Sequence, residues 1–389
     1  MKANQIKPAN RISEVKEYYF SRKLREIAQL NAHGADIISL GVGGPDRPPH
    51  NDVIDTLCQE AHNDGNHGYQ PYTGIPELRK AFADWYKRYY SVALDPETEI
   101  QPLIGSKEGI LHTTLAFVNP GDGVLIPNPG YPTYTSVSRL ADARIFNYDL
   151  TEQNNWEPDF NELEKLPLNQ IKLMWVNYPN MPTGHKASIG LFKRLVNFGI
   201  KHNIVIVNDN PYSFILHEQQ LSILNVDGAK DIAIEMNSLS KSHNMAGWRI
   251  AMIASNPQFI QWILRVKSNI DSGQFKPMML AAVKALNCDK SWYDNVNTLY
   301  QSRRIIAEKI MTAIGCSFDS TQAGLFLWGK IPDTETNAET LSDRILSEAR
   351  VFITPGSIFG SNGTRYLRIS LCASEQRLQE ALTRINQMN

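Results

Sequence analysis

Cysteine is scarce in this chain: four residues in 389, at positions 58, 288, 316 and 372, with no CxxC pair among them. Scattered thiols in a chain of this length point away from a disulfide scaffold and from a zinc ribbon. The nine histidines form no HExxH and no Cys/His spacing of the zinc type, so no metal is expected. Charge of one sign is missing too. Lys and Arg number 39 against 40 Asp and Glu, a formal net charge of -1, which gives no surplus for phosphate backbones or anionic lipid. No apolar run approaches a membrane span, and the opening MKANQIKPANR is too polar for a signal-peptide core. The cytoplasm is therefore the expected location. The glycines of Ile38-Ser-Leu-Gly-Val-Gly-Gly-Pro-Asp46 do not fit GxGxxG, which removes the dinucleotide fingerprint as well.

What is present is alternation. Candidate strands at Glu99–Ile104, Gly123–Ile126, Arg144–Tyr148, Lys172–Asn177, Ile204–Asn208, Asp231–Glu235 and Arg249–Ile253 are short apolar runs. Several are continuous and β-branched, as strands buried on both faces are. Between and before them lie helical patterns at Lys107–Val118, Tyr131–Ala141, Ser188–His202 and Pro76–Tyr90, the last opening on a proline. This is the pattern of an α/β domain with a mainly parallel, seven-stranded sheet between helices. Beyond Lys276 the texture changes. A long helix (Lys290–Ala313), short strands at Leu325–Ile331, Arg350–Ile353 and Tyr366–Leu371, and helices at Ala338–Ala349 and Ser374–Gln387 describe a smaller α+β lobe. The amphipathic segment Arg11–Leu30 is expected to pack on it. The expected division is 45–275 for the large domain, with 1–44 and 276–389 forming the small one.

The chemistry concentrates in Ser238-Leu-Ser-Lys-Ser-His-Asn-Met-Ala-Gly-Trp-Arg249, between two strands. A lone loop lysine is usually a solvated charge. Here Lys241 stands among hydroxyl residues, with Arg249 eight positions on. An amine that can form an imine, beside a guanidinium and hydroxyls for a phosphate, suits a phosphate-bearing aldehyde. Upstream, Val207-Asn-Asp-Asn-Pro-Tyr212 closes a buried strand with a carboxylate at its carboxyl end, where open α/β sheets bind ligands. Ile104-Gly-Ser-Lys-Glu-Gly109 joins a strand to a helix, and a helix N-terminus accepts anions.

The pattern SLSKxxxxxGWR resembles the lysine motif of the fold-type I, class I/II aminotransferases, which use pyridoxal 5′-phosphate. The likeness runs through almost the whole chain with several motifs in order, and faintly favours the branch holding LL-diaminopimelate and alanine-type enzymes. It implies a ping-pong transfer of an amino group between an amino acid and a 2-oxo acid, with the cofactor held as a Schiff base on Lys241. By the same resemblance Asp209 faces the pyridine nitrogen and Tyr212 the 3′-oxygen. Ser106, Lys107, Ser238, Ser240 and Arg249 hold the phosphate. Tyr131, in Asn128-Pro-Gly-Tyr-Pro-Thr-Tyr134, stacks on the ring. Tyr69, in the YxxxxGxPxLR stretch, reaches a neighbouring subunit's phosphate, which implies a homodimer with shared sites. The backbone of Gly43 and the Arg368 side chain of Tyr366-Leu-Arg-Ile-Ser370 receive the substrate carboxylate.

Two departures stand out. Gly44 occupies a position where the family usually carries an acid. Asn177-Tyr-Pro-Asn-Met-Pro-Thr-Gly184 matches the family's PxNPTG turn, but Met181 replaces the asparagine that donates to the 3′-oxygen. Methionine has no donor, so Asn180 is named in its place. Two alternatives remain at this point. A PLP lyase, such as a C–S β-lyase or decarboxylase, would share nearly every residue named. A non-catalytic regulatory module is disfavoured by the missing basic surplus.

Overall fold

The structure is a computed structural model that describes residues 6–13, 17 and 19–388. Seven strands form one sheet, in the spatial order Ile100–Leu103, Ala251–Ala254, Ala233–Ser238, Val205–Asp209, Ile171–Val176, Gly123–Asn128, Arg144–Asp149. All run parallel except Ala251–Ala254, which is antiparallel to both neighbours. The expected mainly parallel sheet is what forms.

Alternate residues of each strand face opposite cores. Leu173 and Trp175 belong to one buried cluster, with Val205, Val207, Ile234 and Met236. Met174 and Val176 belong to the other, with Ile206 and Ala233. Both faces are therefore covered, which is why these strands read as unbroken apolar runs. Helices Ser106–Phe117, Pro132–Leu140 and Pro257–Lys267 pack on the first face through Ile110, Val137 and Ile263. Pro76–Tyr90, Ile189–His202 and Lys276–Leu286 cover the second through Trp85, Phe192 and Met279. Each such fully buried side chain contributes about 1.5–3 kcal/mol relative to exposure.

A second unit is built on a four-stranded antiparallel sheet ordered Thr354–Pro355, Tyr366–Ser370, Phe326–Lys330, Ser317–Phe318. Helices Lys290–Ala313, Ala338–Ala349 and Glu375–Ile385 supply its core with Ile310, Leu341 and Leu378. The N-terminal helix Tyr19–Ala32 joins this unit: Phe20 lies in its core, and Ile27 packs with Ile37 and Phe352. Part of the segment 11–30 read as amphipathic, residues 14–16 and 18, lies outside the described residues. We propose the two-lobe division on these cores, with helix Lys276–Leu286 assigned to the large lobe because Met279, Ala281 and Leu286 pack in the sheet's core.

Candidate active site

Five parallel strands end on one side of the sheet, and the functional segments follow those ends. Gly105–Lys107 follows Ile100–Leu103, Tyr131 follows Gly123–Asn128, Asn177 follows Ile171–Val176, Asp209 closes Val205–Asp209, and Lys241 follows Ala233–Ser238. Together with Gly43, and with Phe326, Phe359 and Arg368 from the second unit, they line a cavity of about 660 Å³. Ligand sites at the carboxyl ends of parallel strands are the rule in open α/β sheets.

Lys241 sits on a single helical turn, Leu239–Ser242, capped by the Ser238 hydroxyl. Its ammonium donates to the carbonyl of Gly43. Burial holds the lysine below its ordinary pKa; Cys372 opposes this, while Arg249 and Arg368 add to it. A larger share of neutral amine, the form that acts as nucleophile and base, follows. Gly43 tolerates no side chain, since a Cβ would lie 2.1 Å from the Phe326 ring. Its loop is tied to the second unit by the bidentate pair of Arg303 with Asp46 at 2.7 and 2.8 Å.

Asp209 is buried, and Tyr134 donates its hydroxyl to Oδ2 at 2.9 Å. Oδ1 has no hydrogen-bond partner among the described residues. Burial pushes this carboxyl up to about 6, and only the Tyr134 hydrogen bond opposes it. Tyr134 is itself fixed by stacking on Trp175 at 4.9 Å and 5°. Tyr131 meets Tyr134 edge-on at 5.6 Å, and Tyr212 lies edge-on to Phe326 at 6.0 Å.

At one end of the cavity Arg249 lies against Gly105, where a Cβ would meet Nη2 at 2.0 Å. Gly105 has φ +78°, so this approach needs glycine. The start of helix Ser106–Phe117, Ser238 and Ser240 border the same cavity. Cation, hydroxyls and helix N-terminus together form an anion cradle. At the other end Arg368 Nη2 donates to the carbonyl of Gly41 at 2.7 Å, and Nη1 lies 3.2 Å from the sulfur of Met181.

Of the residues named from sequence, Lys241, Ser106, Lys107, Tyr131, Asp209, Tyr212, Ser238, Ser240, Arg249, Gly43 and Arg368 line this cavity. Asn180 does not, and this corrects the expectation for it. Its amide donates to the Asn177 carbonyl at 3.1 Å, and its Oδ1 accepts from the Thr183 hydroxyl at 2.8 Å, so the side chain is spent inside its own turn. Asn177 lines the cavity instead, beside Met181. Tyr69 stands away from it, 93% exposed. Sequence reasoning missed Tyr134, although it lies in the same motif as Tyr131, one helical turn on. Phe20, Ser21, Leu24 and Phe326 had no motif to mark them, whereas Phe359 lies in Thr354-Pro-Gly-Ser-Ile-Phe-Gly360, a stretch that resembles the family's turn near the substrate mouth. Elsewhere, Glu108, His112 and Asp271 cluster as three metal-ligating types, but Lys267 bridges the two acids at 2.9 and 2.6 Å.

Residues 35–385 match the family model of aminotransferase class I and II. The chain belongs to this family. It is 40% identical over 382 residues to an LL-diaminopimelate aminotransferase of Aquifex aeolicus, covering 98% of both chains. Another protein of that name, from Dehalococcoides mccartyi, is 38% identical over 382 residues, again 98% of each. Among solved structures, apo-BacF from Bacillus subtilis superposes with a TM-score of 0.94 at 34% identity, covering 98% of both chains. The aminotransferase reading thus stands over the lyase alternative, and the cofactor of this aminotransferase is pyridoxal phosphate.

The residues present fit that cofactor. Asp209 Oδ1, without a hydrogen-bond partner among the described residues, can meet a cation, Lys241 presents an amine, and the Arg249 guanidinium stands beside Gly105 and the start of helix Ser106–Phe117, where an anion would be held. No helix among the described residues is long and apolar enough to cross a membrane.

Proposed function

We propose that this aminotransferase moves an amino group between an amino acid and a 2-oxo acid with Lys241 as its acid–base residue. The observation that carries the proposal is the convergence of Lys241, Asp209, Arg249 and Arg368 on one cavity. Bound pyridoxal phosphate would supply an aldehyde to receive the amino group and a ring to take up electrons. Arg249, Ser106, Lys107, Ser238 and Ser240 would hold its phosphate, with Tyr131 against the ring. Asp209 Oδ1 would face the ring nitrogen, and Tyr212 the 3′-oxygen. Met181 offers that oxygen no donor.

Arg368 holds the substrate carboxylate through its planar fork, so that the Cα–H bond is presented to Lys241. The amine of Lys241, depressed in pKa by burial, accepts the Cα proton and later returns one. The test is a panel of L-amino acids given to the purified yellow holoenzyme, read by the visible band. The expected result is one oxo acid formed per site, with the amine retained until a second oxo acid takes it. Release of ammonia instead would remove the reading.

Arg368→Lys should weaken binding and turnover about 10-fold or more while the cofactor band is unchanged, because a point charge replaces a fork worth ~1.5–3 kcal/mol. Unchanged kinetics for every accepted donor would move the carboxylate grip elsewhere.

We further propose a cytoplasmic homodimer with shared sites. The exposure of Tyr69 at 93% supports it, since a tyrosine turned wholly outward is available to a neighbour. Mixing inactive Lys241→Ala chains with inactive Tyr69→Ala chains should restore hybrid active sites, up to about a quarter of wild-type activity for statistical exchange with one intact site per hybrid. No recovery after proven subunit exchange would remove Tyr69 from the neighbouring site.

A further inference from the structure

In the proposed function the start of helix Ser106–Phe117 helps to hold a phosphate, yet its first turn carries an acid. Glu108 stands there, three residues after the capping Gly105. Its Oε2 accepts from the backbone N–H of Ile104 and so closes the turn that presents Ser106 and Lys107. A carboxylate in this place shapes the turn, but it competes with a phosphate for the positive end of the helix.

A buried lysine answers that competition. Lys267, the last residue of helix Pro257–Lys267, is 2% exposed. It donates to Glu108 Oε1 at 2.9 Å and to Asp271 Oδ2 at 2.6 Å. The buried His112 meets the same Glu108 oxygen at 2.7 Å. Burial by itself would raise the Glu108 carboxyl, but its bonds with His112, Asp271 and Lys267 hold it below its ordinary value. Asp271 moves the other way, raised by burial and by Glu108. Glu108 is thus the charged acid of the pair, and Lys267 its counter-charge.

Through Asp271 the same ammonium reaches the other groups assigned to the phosphate. Asp271 Oδ1 accepts from the Gly273 N–H at 3.1 Å. Gly273, at φ +84°, lies so close to Gln70 and Pro71 that a Cβ would stand 2.9 and 3.1 Å from their carbonyl oxygens, next to Tyr69. Gln274 then donates to the carbonyl of Arg249 at 2.9 Å. We infer, resting on the proposed phosphate site, that Lys267 is a positioning residue for the cofactor phosphate. It cancels the Glu108 charge in the first helical turn and holds the segment 271–274 against Arg249 and the stretch 69–71.

The experiment titrates the apoenzyme with pyridoxal phosphate and with pyridoxal, which has no phosphate, and reads both dissociation constants from the visible band. Lys267→Met should weaken pyridoxal phosphate at least about 10-fold and pyridoxal no more than about 3-fold, because an uncompensated carboxylate then stands beside the phosphate site. Adding Glu108→Gln to Lys267→Met should recover most of the loss, since nothing is then left to compensate. Glu108→Gln alone should bind pyridoxal phosphate at least as tightly as wild type, a result that does not depend on Lys267→Met folding. Equal weakening of the two ligands, unchanged binding in Lys267→Met, a double variant no better than the single one, or weaker binding in Glu108→Gln overturns the inference. Arg249→Met tells this apart from failure of the phosphate site itself. Weakened pyridoxal phosphate in Arg249→Met with none in Lys267→Met removes the inference alone; unchanged pyridoxal phosphate in Arg249→Met removes the phosphate site and the inference with it.

Discussion

Lys241→Ala should fold, keep its secondary structure and transaminate at least about 10³-fold more slowly, since general acid–base transfer alone is worth ~10²–10⁴. Folding is expected to survive because burial penalises the charged form of this lysine. The substitution removes a half-buried amine, and among the described residues its hydrogen bond to the Gly43 carbonyl is the one that goes with it. Two readouts separate loss of chemistry from loss of cofactor. Borohydride treatment of the wild type should fix the cofactor to the peptide that carries Lys241, and the variant should yield no such peptide. Free pyridoxal phosphate should still bind the variant through the Arg249 cradle, with an altered visible band. An exogenous small amine should restore part of the rate, because the site then lacks only a base. Wild-type turnover in the variant would falsify the assignment of Lys241.

Elements of both lobes were legible where they announce themselves locally. Pro76 begins its helix and Ser91, at φ 57°, ends it, so the pattern Pro76–Tyr90 coincides with the helix. Lys290–Ala313 and Ala338–Ala349 coincide likewise, each introduced by a capping Asp289 or Asn337. The strand read from Asp231 begins two residues later, at Ala233, because Gly228 at φ 77° starts one helical turn, Ala229–Ile232. Helix Lys276–Leu286 gave no signal, being apolar almost all round with Pro277, Met279, Ala281, Ala282 and Ala285 buried. A buried helix has no polar face to set a period.

The site divides in the same way. Lys241, Asp209 and Ser106 stand directly at strand ends, so their convergence follows once the sheet is parallel. Asn180 was misjudged because the turn 177–184 folds its own amides inward, through hydrogen bonds that spacing does not reveal. Phe20, Phe326 and Phe359 are separated by up to hundreds of residues and meet only around Arg368. Aromatic residues in a sequence are most often core, and nothing local marks Phe20 and Phe326 as cavity walls.

Asp209→Asn should stabilise the cofactor-free protein while disabling the loaded enzyme. In the folded chain burial raises this carboxyl from 3.8 to about 6. Between those values the folded state binds the proton more tightly than the unfolded chain does. The stability linked to Asp209 is therefore fully present below about pH 4 and is lost as pH rises through about 6. At pH 8 the shift amounts to a penalty on the order of 3 kcal/mol, at 1.36 kcal/mol per unit. Asparagine carries no charge to desolvate, and its Oδ1 can still accept from Tyr134. The cofactor-free variant should thus melt a few degrees higher than wild type at pH 8, with the two curves converging at pH 4. In the holoenzyme the sign should reverse: in the proposed role the wild-type carboxylate would face the ring nitrogen, and its loss should cost ~10²–10³ in turnover, as removal of a preorganised electrostatic partner does. Cofactor retention should also fall. A variant that is less stable than wild type at pH 8 without cofactor would mean that Asp209 has an ionic partner in the apoprotein, and undiminished turnover would remove it from the ring.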